Sequence, residues 1–411
     1  MSDSAKRIGM VLDAGFPHDP RVSKEGTMLA DLGYEVHLIC TRRNGEDRES
    51  TYGAIRVHRL DVSASSVSKG LRDISIATTW KNGRFESGVS SVVRDCGLDA
   101  LHVHDLPLAA TCKSVADRFG IPLILDLHEN YPEGLDTWFR WRKSRLVRFK
   151  NRLFFNYDRW SDYEKWALEN ADQVVVVVQE MQAHLIRKHT VPADKFVVVS
   201  NAVDPNFIAA VSASFRPTEL RTGFNITYVG GFGPHRGLDT AIRAMPRILE
   251  AIPDAYLNLV GFGHRDVEER LRKLARETGC GEAIVFHGRV EPDRVVGFMK
   301  FSDLNVIPHA STPHTENTVP HKLYQIMLSG RPLLVSSCAP LKRIVEEADC
   351  GYVFDADDAS SFARRVISIH ANPDEVREKS ARGPRAASLG PHSIAAAEEA
   401  LNVLYNRVWA P

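Results

Sequence analysis

Residues 308–336 read PHASTPHTENTVPHKLYQIMLSGRPLLVS. The order of residue types predicts the end of a buried strand, a polar loop, a short helix, a glycine stop and a second buried strand. The helix is expected to begin near Val319-Pro320, because proline fits a first helical turn, where its missing N–H is no loss. It is expected to stop at Gly330, ahead of Arg331-Pro332. Its start leaves backbone N–H groups free beside a partial positive charge, which suits a phosphate. Lys322, one turn in, adds a full cation. Asn317 in the loop and Gln325 on the helix stand eight residues apart. They can hold two ends of one polar ligand, such as a pyrophosphate-linked sugar.

Outward from this stretch the chain alternates strand and helix. Strands are predicted at 224–229, 256–260, 283–287, 304–307, 333–336 and 352–354. Helices are predicted between them, at about 237–250, 266–277, 292–301, 320–329 and 340–348. The first half reads the same way, from a strand over Arg7–Leu12 to one over Lys195–Ser200. Its strands are continuous apolar runs of the kind buried on both faces. Such alternation implies parallel sheets with right-handed crossovers, so two doubly wound α/β domains follow, with a boundary near 201–222. Residues 61–90 read as a Ser-rich surface excursion with helix. Arg382–Pro391 reads as a Gly/Pro-containing linker, leading to an amphipathic helix over Ser393–Trp409.

The 411 residues are too many for one core and suit two domains. Hydrophobic content of 44% and charged content of 25% are those of a soluble globular chain. A formal net charge of zero gives no global field for nucleic acid. The six cysteines are scattered, which argues against a zinc site or disulfide framework and fits a reducing cytosol. The N-terminus enters a strand without a signal-peptide h-region. No apolar run approaches the roughly 20 residues that span a bilayer.

The stretch at 308–336 resembles the donor site of GT-B glycosyltransferases, in particular the retaining "group 1" family, glycosyltransferase family 4. The family pattern is E-x₇-E, with a P-x-K-L-x-E-x-M-x-x-G-x-P helix. PHKLYQIMLSGRP matches it, but the two glutamate positions fall on Asn317 and Gln325, with Glu316 beside the first. The resemblance covers nearly the whole chain and is weakest at 61–90 and 134–160. It implies two Rossmann-like domains facing a central cleft that closes on substrate, with a C-terminal helix crossing back to the first domain. The implied limits are 1–204 for the acceptor side, 205–385 for the nucleotide-sugar donor side and 386–411 for the crossover helix.

Asp19-Pro20-Arg21-Val22 resembles the D-P-R-V opening of one branch of this family. By itself, Asp before Pro needs only to cap a helix. The resemblance places Asp19 and Arg21 on the acceptor side. His102, His104 and Asp105 end one strand, and Asp126, His128 and Glu129 end the next, where α/β folds hold ligands. These pairs resemble the family's H-x-H-D and D-x-H-E motifs. They imply acceptor-side roles for His104, Asp105 and Glu129, and a place near the transferred sugar for His128. Metal binding is the rival reading; the family needs none, and no H-x₃-H pair sits on a helix here.

Gly230-Gly231-Phe232-Gly233-Pro234-His235-Arg236-Gly237 follows a strand and opens a helix, where glycine lets backbone approach phosphate. Arg236-Gly237 matches the family's K/R-G, whose cation neutralises the leaving nucleotide diphosphate. Many relatives carry a second cation at the position of Gly231, and His235 can stand in for it. Gly261 and Val290 lie in loops resembling those that hold base and ribose; ordinary tight turns read equally well. Asp355-Ala356-Asp357-Asp358 looks like a D-x-D metal motif but fits a helix cap.

Trp138 to Trp160 interleaves aromatics with Arg140, Arg142, Lys143, Arg145, Arg148, Lys150 and Arg152, with no acid among these cations. Basic residues and aromatics on an amphipathic helix fit an interfacial membrane contact, each cation contributing on the order of 1 kcal/mol near an anionic leaflet. A solvated face packed on a neighbouring helix is the plain alternative.

The implied activity is transfer of a sugar from a UDP- or GDP-type donor to a glycan or lipid-linked acceptor, with retention and without metal or cofactor. Catalytic positions carried over are His128, Glu316 and Asn317. Donor-binding positions are Gly230, Gly231, His235, Arg236, Gly261, Val290, Val319, Lys322 and Gln325. The implied place is the cytoplasm, at the inner face of the membrane, with no nucleic-acid partner. The alternatives are a catalytically impaired relative that binds a nucleotide sugar or partners another transferase, and an epimerase or phosphorylase.

Overall fold

The computed structural model describes residues 5–17, 19–61, 78–139, 154–203, 207 and 215–410. The chain divides into two units, one of 1–136, 145–199 and 397–411, the other of 137–144 and 200–396.

The first unit holds strands β1 (Arg7–Leu12), β2 (Glu35–Thr41), β3 (Glu49–Tyr52), β4 (Ile55–Leu60), β5 (Ala100–His104), β6 (Leu123–Leu127), β7 (Gln173–Val176) and β8 (Phe196–Val198). Its helices are α1 (Pro20–Asp31), α2 (Gly83–Cys96), α3 (Ala109–Phe119), α4 (Tyr131–Phe139), α5 (Tyr157–Asn170) and α6 (Gln179–His189). The strands form one sheet in the order β3-β4-β2-β1-β5-β6-β7-β8. Pairing is parallel except between β3 and β4. Strands β5 and β6 are buried along their whole length, as expected of apolar runs with helices on both faces.

The second unit holds β9 (Phe224–Val229), β10 (Ala255–Val260), β11 (Ile284–Gly288), β12 (Leu304–Ile307), β13 (Leu333–Ser336) and β14 (Tyr352–Phe354). Its helices are α7 (Leu238–Ala251), α8 (Arg265–Glu277), α9 (Pro292–Phe301), α10 (Lys322–Ser329), α11 (Ala339–Glu347), α12 (Ala359–Ala371) and α13 (Pro373–Leu389). The order is β11-β10-β9-β12-β13-β14, parallel throughout. Both sheets change direction of growth beside their first strand, at β1/β5 and at β9/β12. Ligands of open parallel sheets bind beyond the carboxyl ends of strands at such switch points. The two unit-specific sites described below lie there.

Several expectations need correction. Helix α10 begins at Lys322, after a tighter turn in which Leu323 N–H donates to Pro320 O at 3.1 Å. Lys322 is therefore at the first helical position and not one turn in. Residues 382–391 are not a linker, since α13 runs through Gly383 and Pro384 to Leu389. Pro384 removes one helical hydrogen bond, but tertiary packing holds the helix. A Cβ at Gly383 would lie 2.6 Å from Met327 O, so glycine lets α13 approach α10 backbone to backbone. Strand β3 was not foreseen, because all four of its residues are exposed and carry no apolar alternation. Among the described residues, no helix is long and apolar enough to cross a membrane.

Candidate functional site

In the first unit, Asp19 caps α1, its carboxylate accepting from Arg21 N at 2.9 Å and Val22 N at 3.2 Å. The cap turns the Arg21 side chain inward. The guanidinium donates to both Asp126 oxygens, at 3.2 and 3.0 Å, and to Val199 O at 3.1 Å, and lies 2.7 Å from Glu25. Burial works against that charge, but Asp126 and Glu25 outweigh it and hold Arg21 protonated. Burial likewise opposes the Asp126 carboxylate, and Arg21 and His128 overcome it, leaving Asp126 well below the usual range. Glu25 is pushed up to about 8, because burial exceeds the help from Arg21.

The parallel register of β5 and β6 sets His104 beside Asp126. His104 Nδ1 lies 3.2 Å from Asp126 Oδ2 and 2.9 Å from His128 Nε2, which is itself 3.1 Å from the same oxygen. Burial, with His102 and His128 near, lowers His104 to about 3. His128 moves the other way, to about 10: burial disfavours its charge, but Asp105 and Asp126 dominate. A neutral His104 therefore stands beside a cationic His128. Asp105, at φ +65°, turns the chain so that its Oδ1 accepts from His128 N at 3.2 Å. Glu129 follows His128 and is half-buried. His102 bonds the Tyr405 hydroxyl at 2.9 Å.

The structure thus brings Arg21, His104, Asp105 and His128 together around Asp126. Glu25 was not singled out in the sequence, although its spacing from Arg21 was a usable signal. Ligand atoms of Glu25, His102, His104 and Asp126 lie within 4.8 Å of one another, as do those of His37, His58 and Cys96. In the first group Arg21 already occupies both carboxylates, so a metal ion would have to displace its guanidinium.

In the second unit, β9 ends at Val229 and the chain passes through Gly230, Gly231 and Gly233 to a short turn, Pro234–Arg236. Gly237, at φ +63°, opens α7. A Cβ there would lie 1.8 Å from Pro308 O, and Ala310 N–H donates to His235 O at 3.1 Å. The loops after β9 and β12 are thereby knitted at the switch point. Arg236 Nη1 donates to His309 Nε2 at 3.1 Å. Lys322 Nζ donates to Val229 O at 3.0 Å and would lie 3.1 Å from a Cβ on Gly230. Burial, then Arg236, holds Lys322 well below its usual range. Burial, Arg236, His314 and Lys322 lower His235 to about 2. His309 is also held well below its usual range, by burial and then by Arg236, Lys322, His235 and His314. Among the described residues, no carboxylate figures in these influences.

The remaining candidates are placed as follows. Both Glu316 oxygens are engaged, by Ser311 Oγ at 2.6 Å and by Ala339 N at 2.8 Å at the start of α11. Asn317 is buried, its Nδ2 donating to Pro313 O at 2.7 Å. Val319 is buried, and its carbonyl accepts from Asn201 at 3.1 Å. Gln325 is half-buried on α10. Gly261, at φ +137°, donates to Gly288 O at 2.9 Å, and Val290 is half-buried just beyond. Phe262, half exposed under the Arg289 guanidinium at 4.9 Å, is a flat surface beside them that sequence reading passed over. Asp358 caps α12, as the helix-cap reading of 355–358 requires. Arg140, Arg142, Lys143, Arg145, Arg148, Lys150 and Arg152 lie outside the described residues.

Two family models match, "Glycosyl transferase 4-like domain" over residues 20–202 and "Glycosyl transferases group 1" over 213–385. The chain is 24% identical over 290 residues to a D-inositol 3-phosphate glycosyltransferase of Acidothermus cellulolyticus, covering 65% of this chain and 58% of that protein. It is 26% identical to a phosphatidyl-myo-inositol mannosyltransferase of Mycobacterium leprae, over 44% of this chain and 47% of that one. The chain thus spans about half the length of these relatives. Among solved structures, sucrose-phosphate synthase of Thermosynechococcus elongatus superposes with a TM-score of 0.77 at 18% identity, over 98% of this chain and 99% of that one. HepE of Anabaena, solved with UDP-glucose, gives 0.69 at 14% identity, over 97% and 99%. Both units share the Rossmann-like, parallel-sheet build of these GT-B structures.

Proposed function

Because the chain belongs to the group 1 glycosyltransferases of the GT-B fold, we propose that it transfers a sugar from a UDP- or GDP-type nucleotide diphosphate sugar to an acceptor, with retention and without metal. One observation carries this: Arg236, Lys322, His235, His309 and His314 converge at the β9/β12 switch point, and among the described residues the influences on Lys322, His235 and His309 include no carboxylate. Such a pocket is complementary to an anion, and the charge that develops on a leaving diphosphate is the charge it favours. The bond from the anomeric carbon to the diphosphate breaks as one to the acceptor oxygen forms on the same face. The acceptor's proton passes to the leaving phosphate oxygen. Asn317 and Gln325 take sugar and ribose hydroxyls where relatives use glutamate, with weaker, neutral hydrogen bonds. His128, held cationic, donates to a sugar oxygen. Glu316 is committed to Ser311 and α11, which favours Asn317 as the sugar-side residue.

We further propose a lipid-linked or cell-envelope glycan acceptor at the cytoplasmic membrane face, supported by the cations and aromatics of 138–160. Charge-reversing Arg145, Arg148 and Arg152 to Glu is expected to abolish binding to anionic vesicles; unchanged binding overturns that part. The test of the main reading is turnover of a panel of UDP- and GDP-sugars in the presence of EDTA, with the product anomer read by NMR. Metal-independent transfer giving a retained anomer is expected. The departures at Asn317 and Gln325 favour a second reading, a catalytically impaired binder. Micromolar nucleotide-sugar binding with no turnover of any donor would establish it instead.

A further inference from the structure

His235 is 7% exposed, and both its ring nitrogens are buried without a hydrogen-bond partner. A buried polar group left unpaired is disfavoured, so the free protein holds this ring at a disadvantage. The ring folds against Gly233, where a Cβ would lie 2.6 Å from Cε1. It meets the His314 ring edge to face at 5.3 Å and the His309 ring at 6.3 Å. The charged and titratable groups acting on it are Arg236 from its own turn, His314 from the loop after β12 and Lys322 from α10, all of them basic. His309 accepts from Arg236 at Nε2, so that nitrogen holds no proton of its own.

The family resemblance implies a cation at the position of Gly231, yet the backbone does not demand glycine there. Its φ is not positive, and a Cβ would meet only Phe262 O, at 3.8 Å. The chain has room for a fixed cation and lacks one.

Resting on the donor reading above, we propose that His235 takes up a proton when a nucleotide diphosphate binds, and so supplies the cation missing at Gly231. An incoming diphosphate offers only acceptors, satisfies the ring's N–H groups and offsets the field of Arg236 and Lys322. The imidazolium then becomes the favoured form. The proton comes from solvent and returns to it when the diphosphate leaves. Donor binding by this chain is thereby linked to pH in a way that a fixed cation would not impose.

The experiment is titration calorimetry at pH 7 in buffers of different ionisation enthalpy. UDP-glucose and GDP-mannose are the probes, because their diphosphates are diesters without a titrating phosphate near neutral pH. Wild type is expected to take up close to one proton per nucleotide sugar, and to bind up to about tenfold more tightly per pH unit from pH 8 to 6. His235→Gln is expected to lose both the uptake and the pH dependence. Gly231→Arg is expected to bind more tightly with the uptake suppressed, and it decides the matter should His235→Gln fail to fold by circular dichroism. Binding without proton uptake in wild type overturns the proposal and leaves the donor reading standing. So does uptake that survives in His235→Gln and disappears in Lys322→Met, which would assign the proton to the lysine. Binding of neither probe by wild type removes the donor reading and this proposal together.

Discussion

The Lys322 ammonium lies 3.7 Å from the centroid of the Tyr228 ring while donating to Val229 O at 3.0 Å. A buried amine is held here by a π face and one carbonyl, and among the described residues no carboxylate pairs with it. An uncompensated buried charge costs stability, so on the proposed donor reading this lysine serves the ligand at the expense of the fold.

Lys322→Met should therefore stabilise the free protein while weakening nucleotide-sugar binding. Folding holds the Lys322 proton affinity below its ordinary value, so the unfolded chain binds that proton more readily. The wild type is penalised at neutral pH and recovers as pH rises toward 10.5. The expected gain is on the order of 1 kcal/mol near pH 7, shrinking by pH 10. Denaturant melts at both pH values check it, and a loss of stability at pH 7 would contradict it.

His235 gives the opposite handle, on the acid side. Its folded value of about 2 lies below the ordinary 6.5, so its stability contribution is present above pH 6.5 and is lost as pH falls. Each such histidine steepens the acid limb by about 1.4 kcal/mol per pH unit. His235→Gln should flatten the stability profile between pH 6 and 4 by about that much. His128, at about 10, acts in reverse: its contribution is full below 6.5 and is lost as pH rises through 10. Urea melts across pH 4 to 10 separate the two.

Gly237→Ala should cost about 2–3 kcal/mol and disable donor binding, because φ is +63° and the new Cβ would strike Pro308 O. Gly231→Ala, six residues earlier in the same loop, should stay within about 0.5 kcal/mol of wild type. Thermal melts of the pair check the contrast; equal losses would mean that the loop is not built as described.

These residues also show how far the sequence could be read. The alternation of apolar strands and helices was enough for two doubly wound units, because parallel strands buried on both faces leave a continuous apolar signature. The glycine loop and the α10 stretch were legible for the same reason, as local patterns. Glu316 was not: its commitment to α11 joins residues 23 positions apart and leaves no periodic trace. Nor was α13, where Gly383 and Pro384 have the composition of a linker and are used as a close contact with α10. Arg21 read locally as part of a helix start, and only the fold shows its partner to be Asp126, 105 positions away.

That pair sets a further expectation. Arg21→Ala would leave Asp126 buried and uncompensated and should cost about 3–5 kcal/mol. Arg21→Lys should recover only part of it, since one ammonium cannot span both Asp126 oxygens. Chemical denaturation of the three proteins tests it, and a neutral Arg21→Ala would mean that the network does not hold His128 in place.

A crystal structure with an uncleaved UDP- or GDP-sugar tests the assignment of the second unit most directly. The diphosphate is expected within hydrogen-bond reach of Arg236 and His235, at the start of α10 beside Lys322. A nucleotide seated elsewhere on the unit, with Arg236 still on His309 and no phosphate oxygen near Lys322, would contradict it.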